Sequence, residues 1–170
     1  MKKLFILSIV SLMSLFLLIL VGCGDDDGND NNNNNSSQPA NIIFECTPSS
    51  GVGTYQVSND LPGYYWIFTL SMEETNGTGV QIQQMEETME VEGKTPHTYV
   101  YDCEYIESRF QLNSCYLRGH GKAEDPAAGY WMSSLYLESA TWVKFAYTLR
   151  GIDDNGNYLE TSTTFTGTIE

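Results

Sequence analysis

The sequence predicts an all-β domain that folds as a single antiparallel β-sandwich. Apolar and polar residues alternate with a period of two along several stretches after residue 42, and turn-forming residues separate these stretches. No stretch after residue 42 has a helical pattern of useful length. The chain has 170 residues, 12% of them aromatic, and this aromatic content is enough for one packed core. The chain is too short for a TIM barrel.

The first clear strand covers residues 64–73. Trp66 belongs to its apolar series, which we expect to face the core, whereas Tyr65 belongs to the opposite series. The pair Asn76-Gly77 follows in a polar break and marks a turn.

The next strand covers residues 80–91, where Met85 breaks the parity of the apolar series and predicts a bulge or a break in the strand. A helical turn is the alternative for its second half, since Met85 and Met89 are four residues apart. The glutamates in this half and the lack of an N-cap favour the strand. Another alternating series predicts a further strand through Tyr99, Tyr101, Cys103 and Tyr105.

Two more strands and a long loop are predicted in the following segment. Phe110, Leu112 and Tyr116 share one parity and predict a strand. Residues 119–129 contain three glycines, a proline and several charges, and predict a loop. Residues 130–137 predict a strand.

The clearest unit is a C-terminal hairpin. Residues 143–150 alternate strictly, and the segment after the turn is rich in threonine, which favours strands. Between them lies the pair Asn155-Gly156, which a two-residue type I′ turn prefers. With this pair at the centre of the turn, Phe145 faces Thr166.

This hairpin is similar to the last strands of bacterial immunoglobulin-like domains, which often carry a comparable Asp-rich turn with an Asn-Gly pair. The resemblance covers about thirty residues and implies an immunoglobulin-like sandwich. A lipocalin-like up-and-down β-barrel is the alternative, because long meandering strands also close into barrels.

The chain begins with the features of a secretory signal peptide. Lys2 and Lys3 precede an uncharged apolar run over residues 4–21. The end of the run resembles the lipobox of bacterial lipoproteins, with the residues Leu20-Val21-Gly22-Cys23. The resemblance implies that residues 1–22 are removed and that the acylated Cys23 anchors the chain to a membrane. An uncleaved transmembrane helix is the alternative, and the run is at the short end for one.

Residues 23–38 predict a lipidated cysteine followed by a disordered spacer. The tract after Cys23 is rich in Asp and Asn and has no apolar residue, so it cannot bury surface to offset chain entropy. Acidic residues after a lipidated cysteine resemble lipoprotein sorting signals, and Gly24 argues in that family against retention in the inner membrane. We therefore expect an outer-membrane lipoprotein, on the periplasmic face or at the cell surface. A calcium site in the aspartates is disfavoured, because the closing glutamate of an EF-hand loop is missing.

The charge limits the partners. The net charge of −14 becomes −16 when the leader, with two lysines and no acid, is removed. A strongly acidic surface repels phosphate backbones, so we expect no nucleic-acid partner. The β domain over residues 39–170 is itself acidic, so its partners are expected to be neutral or basic.

Three of the four cysteines lie in the β domain. In an oxidising compartment they predict one disulfide with three possible pairings. The pair Cys103–Cys115 is preferred because the loop is short and the two residues could lie on adjacent strands, which leaves Cys46 as a buried thiol. A zinc site of Cys103, Cys115 and His120 is the alternative, but a paired CxxC motif is missing and no metal is expected.

No catalytic constellation is evident. The histidines are limited to His97 and His120, and no serine lies in a Gly-x-Ser-x-Gly elbow. A group of acids is expected to form a solvated face rather than a glycosidase pair: Glu86, Glu87, Glu90 and Glu92. We therefore expect no enzymatic activity and no cofactor.

Aromatic residues on outer faces are the remaining candidates for function. Tyr65, Trp131 and Trp142 are the candidate binding residues, since Tyr and Trp offer large rigid contact surfaces. The most consistent hypothesis is a lipid-anchored envelope protein that acts as a non-catalytic binding or interaction module for a glycan or an envelope protein. The alternatives are a carrier of a small apolar ligand inside a barrel and an envelope hydrolase.

Overall fold

The computed structural model describes residues 38–170, so the predicted signal peptide and nearly all of the predicted spacer lie outside the described residues. Within this range the protein is all-β, with two sheets that do not close into a barrel. The described strands are β1 (Ile42–Thr47), β2 (Ser50–Val52), β3 (Thr54–Ser58), β4 (Leu61–Glu74), β5 (Val80–Val91), β6 (His97–Tyr101), β7 (Tyr116–Leu117), β8 (Lys122–Ser133), β9 (Trp142–Asp153) and β10 (Tyr158–Thr168). The described helices are α1 (Cys103–Phe110) and α2 (Ser134–Leu137).

The first sheet is organised around the long strand β4. β8 pairs with one edge of β4, whereas β1 and β3 share the other edge, beside residues 69–74 and 61–65 respectively. The second sheet has the order β2-β10-β9-β5-β6, and β7 pairs with the start of β5. Among the described strands every pairing is antiparallel except that of β2 with β10.

The chain passes from the second sheet to the first at Gly53. Residues 50–52 pair with β10, and residues 54–58 pair with β4. The Trp66 ring lies against this crossing, because a Cβ atom on Gly53 would be 2.7 Å from its Cε2 atom. A Cβ atom on Gly167 of β10 would be 2.5 Å from the Nε1 atom of the same ring. Glycine at both positions therefore makes room for the indole.

The two sheets share one hydrophobic core. The ring of Phe68 from β4 stacks on that of Phe165 from β10, with 4.5 Å between centroids, and Phe145 from β9 lies against Trp66. Trp66 is 1% exposed, which confirms its predicted core position. The predicted alternation of β4 and β9 is also confirmed, because every second side chain of each strand points into this core.

The prediction that a strand continues through Cys103 and Tyr105 is wrong. Asp102 ends the extended segment and caps α1, since its Oδ1 atom accepts a hydrogen bond from the backbone N–H of Tyr105 at 3.2 Å. The helix buries Ile106 and Phe110 and contacts both β5 and β8. It thus packs between β8 of the first sheet and β5 of the second.

The segment after α1 also differs from the expectation. Residues 110–115 do not form a strand, because Gln111, Ser114 and Cys115 have positive φ angles that interrupt extended backbone, and β7 begins only at Tyr116. In contrast, the predicted loop over residues 119–129 is mostly strand, since β8 begins at Lys122.

The pairing of β8 and that of β5 are each irregular at one point. β8 accommodates Pro126 at a register shift opposite Phe68 and Leu70 of β4, where no ladder hydrogen bond is required. The end of the predicted strand 130–137 forms α2 instead. In β5 the bulge lies between Ile82 and Gln84, and the predicted strand, rather than the helical turn, is confirmed.

The C-terminal hairpin is confirmed, but its predicted register is wrong by one residue. Phe145 faces Phe165 rather than Thr166. The Asp153 carboxylate accepts the backbone N–H groups of Asn155 and Asn157, and Gly156 has a φ of +83°. These features give a three-residue loop with a left-handed last residue instead of a two-residue turn.

The predicted Cys103–Cys115 disulfide is confirmed. It joins the first residue of α1 to the residue before β7. The two cysteines were expected on adjacent strands, but neither of them lies in a strand. Cys46 is a free buried thiol, also as predicted, and burial raises its pKa to about 12. Such a thiol is a poor nucleophile at neutral pH.

Removal of the disulfide is expected to destabilise the domain by about 3 kcal/mol, because the cross-link restricts the unfolded chain. The double variant Cys103→Ser/Cys115→Ser tests this by urea unfolding, and Cys46→Ala is the control that leaves the bridge intact. Reductant should lower the unfolding midpoint of the control and leave that of the double variant unchanged. Equal sensitivity of both variants would contradict the prediction.

Candidate functional site

The described chain starts at a fixed point at one end of the sheets. The Nδ2 atom of Asn76 donates to the carbonyl of Pro39 at 2.9 Å, and the Oγ1 atom of Thr78 donates to that of Gln38 at 2.9 Å. We call this the N-terminal end. The opposite end, which carries the β3–β4 turn and α2, is called the far end.

Two buried carboxylates fasten the same starting segment. Asp153, which is 5% exposed, accepts the backbone N–H of Ala40 at 3.0 Å. Glu74, which is 1% exposed, accepts four backbone hydrogen bonds of 2.7–3.1 Å, from Asn41, Asn76, Gly77 and His120. Burial alone would raise the pKa of both carboxyl groups, but the N–H donors outweigh it and hold the pKa of each below its usual value. Both groups therefore serve as anionic clamps for the first described residues.

The structure brings two of the three predicted binding residues together. Tyr65 of β4 and Trp131 of β8 face each other directly in the ladder and point to the outer side of the first sheet. Ile67, two positions along the same face, is 60% exposed. We call Tyr65, Ile67 and Trp131 the aromatic face.

Each ring of the aromatic face lies over a glycine of the opposite strand. A Cβ atom on Gly63 would be 2.7 Å from the Cε2 atom of Trp131, and one on Gly129 would be 2.7 Å from the hydroxyl of Tyr65. The rings thus lie flat on the sheet and lean in opposite directions along it. This explains why both residues are only half-buried, with one side covered and the other side free.

The Nε1 atom of Trp131 is buried and has no hydrogen-bond partner among the described residues. Leaving a buried donor unpaired costs about 1–3 kcal/mol, so such groups are uncommon in folded proteins. The ring of Trp131 therefore keeps an unused donor beside a solvent-facing surface.

The outer side of the first sheet is divided by charge. Around the aromatic face, in the half towards the far end, the neighbouring outward residues are uncharged: Thr54, Gln56, Thr69 and Ser133. In the half towards the N-terminal end four of the outward residues are charged: Glu45, Glu73, Lys122 and Glu124. The aromatic face is therefore an uncharged patch on an acidic domain.

Trp142, the third predicted binding residue, lies elsewhere. It is half-buried on the outer side of β9, opposite Thr168 of β10, and so belongs to the second sheet. It does not join the aromatic face, because that face lies on the outer side of the first sheet.

A buried polar cluster around Glu87 is not predicted by the sequence pattern. Glu87 of β5 is 0% exposed rather than solvated as expected. Its Oε1 atom accepts from the Tyr147 hydroxyl at 3.0 Å, and its Oε2 atom accepts from that of Tyr101 at 2.8 Å. Burial raises the pKa of both tyrosines, and so does the charge of Glu87. The hydroxyls therefore stay protonated and act as donors to the carboxylate.

The cluster continues through α1 to β8. The rings of Tyr101 and Tyr105 stack with 3.9 Å between centroids, and the guanidinium carbon of Arg109 lies over the Tyr105 ring, 5.5 Å from its centroid. The Nε atom of Arg109 donates to the Oδ2 atom of Asp125 at 2.5 Å. These contacts tie α1 to both sheets, which gives the cluster a structural role.

Loss of one tyrosine donor is expected to destabilise the domain. Tyr147→Phe removes one hydrogen bond to a buried charge and should lower the free energy of unfolding by about 2 kcal/mol. The exposed Tyr158→Phe is the matched control and should change stability by less than about 0.5 kcal/mol. Urea unfolding measures both, and equal effects would contradict the prediction.

Stability should also fall at alkaline pH. The folded-state pKa of the cluster tyrosines is raised, so their contribution to the free energy of unfolding is complete below the unfolded value of 10.0 and is lost as the pH rises above it.

A groove of about 410 Å³ opens beside Tyr101, Tyr105 and Gln83. Because the stacked rings already cover each other, this groove offers ring edges rather than free ring faces.

The residues considered for catalysis or metal binding are not assembled into a site. His97 and His120 are both exposed and lie on β6 and in the loop before β8 respectively. The ligand atoms of Cys103, Glu107 and Cys115 lie within 4.8 Å of one another, but both sulfur atoms belong to the disulfide. His120 is not part of that group. Glu86, one of the acids considered for a glycosidase pair, forms an ion pair with Arg150 at 2.9 Å.

Among residues 38–170, no helix combines the length and apolar character needed to cross a membrane.

No protein-family model matches the chain, and no curated protein matches it significantly. Several solved structures resemble its fold, among them two structural-genomics targets. One is a Bordetella pertussis protein provisionally named ApaA, with 12% identity and a TM-score of 0.54 over 78% of this chain and 96% of that one. The other is the structural-genomics target SoR45, with 6% identity and a TM-score of 0.52 over 76% and 86%. At these identities the likeness concerns the fold alone.

Proposed function

We propose that the protein is a lipid-anchored cell-envelope protein whose β domain is a non-catalytic binding or interaction module. The observation that carries this proposal is the aromatic face, where Tyr65 and Trp131 lie flat on the outer side of the first sheet beside the exposed Ile67. Exposed rigid aromatic rings are typical of contact surfaces.

The position of the aromatic face supports the proposal. Residue 38 is fixed at the N-terminal end, and Tyr65 lies nine positions before Glu74 on the extended strand β4, which corresponds to roughly 30 Å. The aromatic face therefore lies in the half of the domain opposite to the end at which the proposed spacer joins it.

The proposal includes an immunoglobulin-like sandwich as the fold. Two facing sheets with a common core, mostly antiparallel pairing and a strand that changes sheet at Gly53 support it.

The anchor is tested by replacing the proposed acylation site. Wild-type chain should incorporate labelled palmitate in producing cells and fractionate with the outer membrane, and Cys23→Ser should do neither. Cys46→Ser is the control, because its buried thiol lies in the β domain. Equal labelling of wild type and Cys23→Ser would refute the lipid anchor.

The binding surface is tested with a photo-crosslinking amino acid. It is placed at Ile67 of the aromatic face and, as the control, at Tyr158 near the N-terminal end, which has nearly the same exposure (60% and 61%). In intact cells the Ile67 probe should give a discrete adduct, either to a protein or to envelope polysaccharide, that the Tyr158 probe does not give. Identical adduct patterns, or no adduct at either position, would refute a binding role for the aromatic face.

A further inference from the structure

We propose that the aromatic face binds an uncharged polysaccharide chain, with Tyr65 and Trp131 each stacking on a sugar ring. This inference rests on the proposed function and names the ligand class of the same site. Pyranose rings present flat C–H faces that pack on aromatic rings, and their hydroxyl groups bond to neutral polar side chains.

The ring geometry suits a chain rather than a single sugar. Trp131 leans towards Gly63 and Tyr65 leans towards Gly129, whose ladder partner is Ile67. Since Gly63 and Ile67 are four residues apart on β4, the two rings are separated by on the order of 10 Å along the strand. Linked pyranose units span such a distance, so one chain lying along the strands can contact both rings.

The charge distribution favours an uncharged ligand. The outward side chains next to the rings are hydroxyls and an amide, supplied by Thr54, Gln56 and Ser133. The acids of this sheet side lie in the other half, and the whole chain has a net charge of −14. A polyanion would be repelled by this surface, whereas a neutral polyol finds donors and acceptors without a charge to desolvate.

The unpaired Nε1 atom of Trp131 provides a further argument. This donor has no acceptor among the described residues, and its ring borders the solvent-facing side of the sheet. The N–H lies in the plane of the indole, so a shift of the ring that exposes this edge would let it donate to an oxygen of the sugar unit next to the stacked one. Ligand binding would then satisfy a donor that the free protein leaves unsatisfied.

The test uses the full chain purified in detergent and neutral β-1,4-linked oligosaccharides of two to six glucose or N-acetylglucosamine units. Binding is followed by calorimetry and by tryptophan fluorescence. We expect the affinity to rise at least tenfold between the disaccharide and the tetrasaccharide, because only the longer chain contacts both rings. Polygalacturonate, which is anionic, should bind more weakly than the neutral chains.

Matched variants locate the site. Ile67→Glu adds a charge to the aromatic face and should reduce the affinity at least tenfold. Ile43→Glu adds the same charge on the same side of the sheet, but in its charged half, where Ile43 is 44% exposed, and should bind as the wild type does. Trp131→Ala should lose binding and Trp142→Ala should keep it. Circular dichroism and unfolding midpoints show whether each variant is folded. If Trp131→Ala does not fold, the affinity of Ile67→Glu alone tests whether the aromatic face is the binding site.

The outcomes separate the ligand class from the binding role. If no neutral oligosaccharide binds, if Ile67→Glu binds like Ile43→Glu, or if polygalacturonate binds best, the polysaccharide proposal is overturned. A protein adduct from the Ile67 probe in cells, together with no sugar binding, would overturn the polysaccharide while the binding module stands. No adduct and no sugar binding would overturn both.

Discussion

Glu74→Ala is expected to destabilise the domain by roughly 3–5 kcal/mol, because four backbone N–H groups lose a common charged acceptor in a site that is 1% exposed. The neighbouring Glu73→Ala is the matched control, since Glu73 points outward, and it should change stability by less than about 0.5 kcal/mol. Urea unfolding at neutral pH measures both variants. A similar small effect of the two substitutions would refute the role of Glu74 as a clamp.

The pH dependence follows from the same clamp. The pKa of Glu74 and of Asp153 is lowered in the folded state, so their stabilisation is present above the unfolded values of 4.5 and 3.8 and is lost as the pH falls through and below them. The wild type should therefore lose stability below about pH 4.5, and Glu74→Ala should lose less over the same interval. A protease should also cut residues 38–41 more readily in Glu74→Ala than in the wild type at neutral pH.

Trp66→Ala is expected to have the second large effect, a destabilisation of about 3–5 kcal/mol, because it empties a large site between the two sheets. The indole lies between Gly53 and Gly167, and neither glycine can fill the space that the ring leaves. Trp142→Ala removes the same side chain from the outer side of the second sheet and should cost clearly less. Thermal and urea unfolding compare the two, and equal losses would contradict the assignment of Trp66 to the core.

The strands that the sequence predicts well are those with one buried face. β4, β9 and β10 alternate because their inner side chains pack on the opposite sheet, and this requirement is written locally in the period of two. The helix α1 is different. Its first residues continue the alternation of Tyr99 and Tyr101, and the competing signal was a single residue, the N-cap Asp102.

Long-range pairing explains most of what could not be predicted. Glu87 is buried because tyrosines from β6 and β9 donate to it, and neither partner is near it in sequence. Tyr65 and Trp131 were identified as candidate residues one by one, but their meeting depends on the pairing of β4 with β8. A signal was present, since each is preceded at two positions by a glycine, Gly63 and Gly129, that leaves space for the partner's ring.

The attachment point of the chain has a mechanical consequence. A load applied between residue 38 and the aromatic face pulls β1 along its own axis in one direction and β4 in the other, because the two strands are antiparallel neighbours. The hydrogen bonds of their ladder run perpendicular to that pull, so they are sheared together instead of being unzipped one after another. A domain held at these two points would resist extension much better than one pulled apart across its strands.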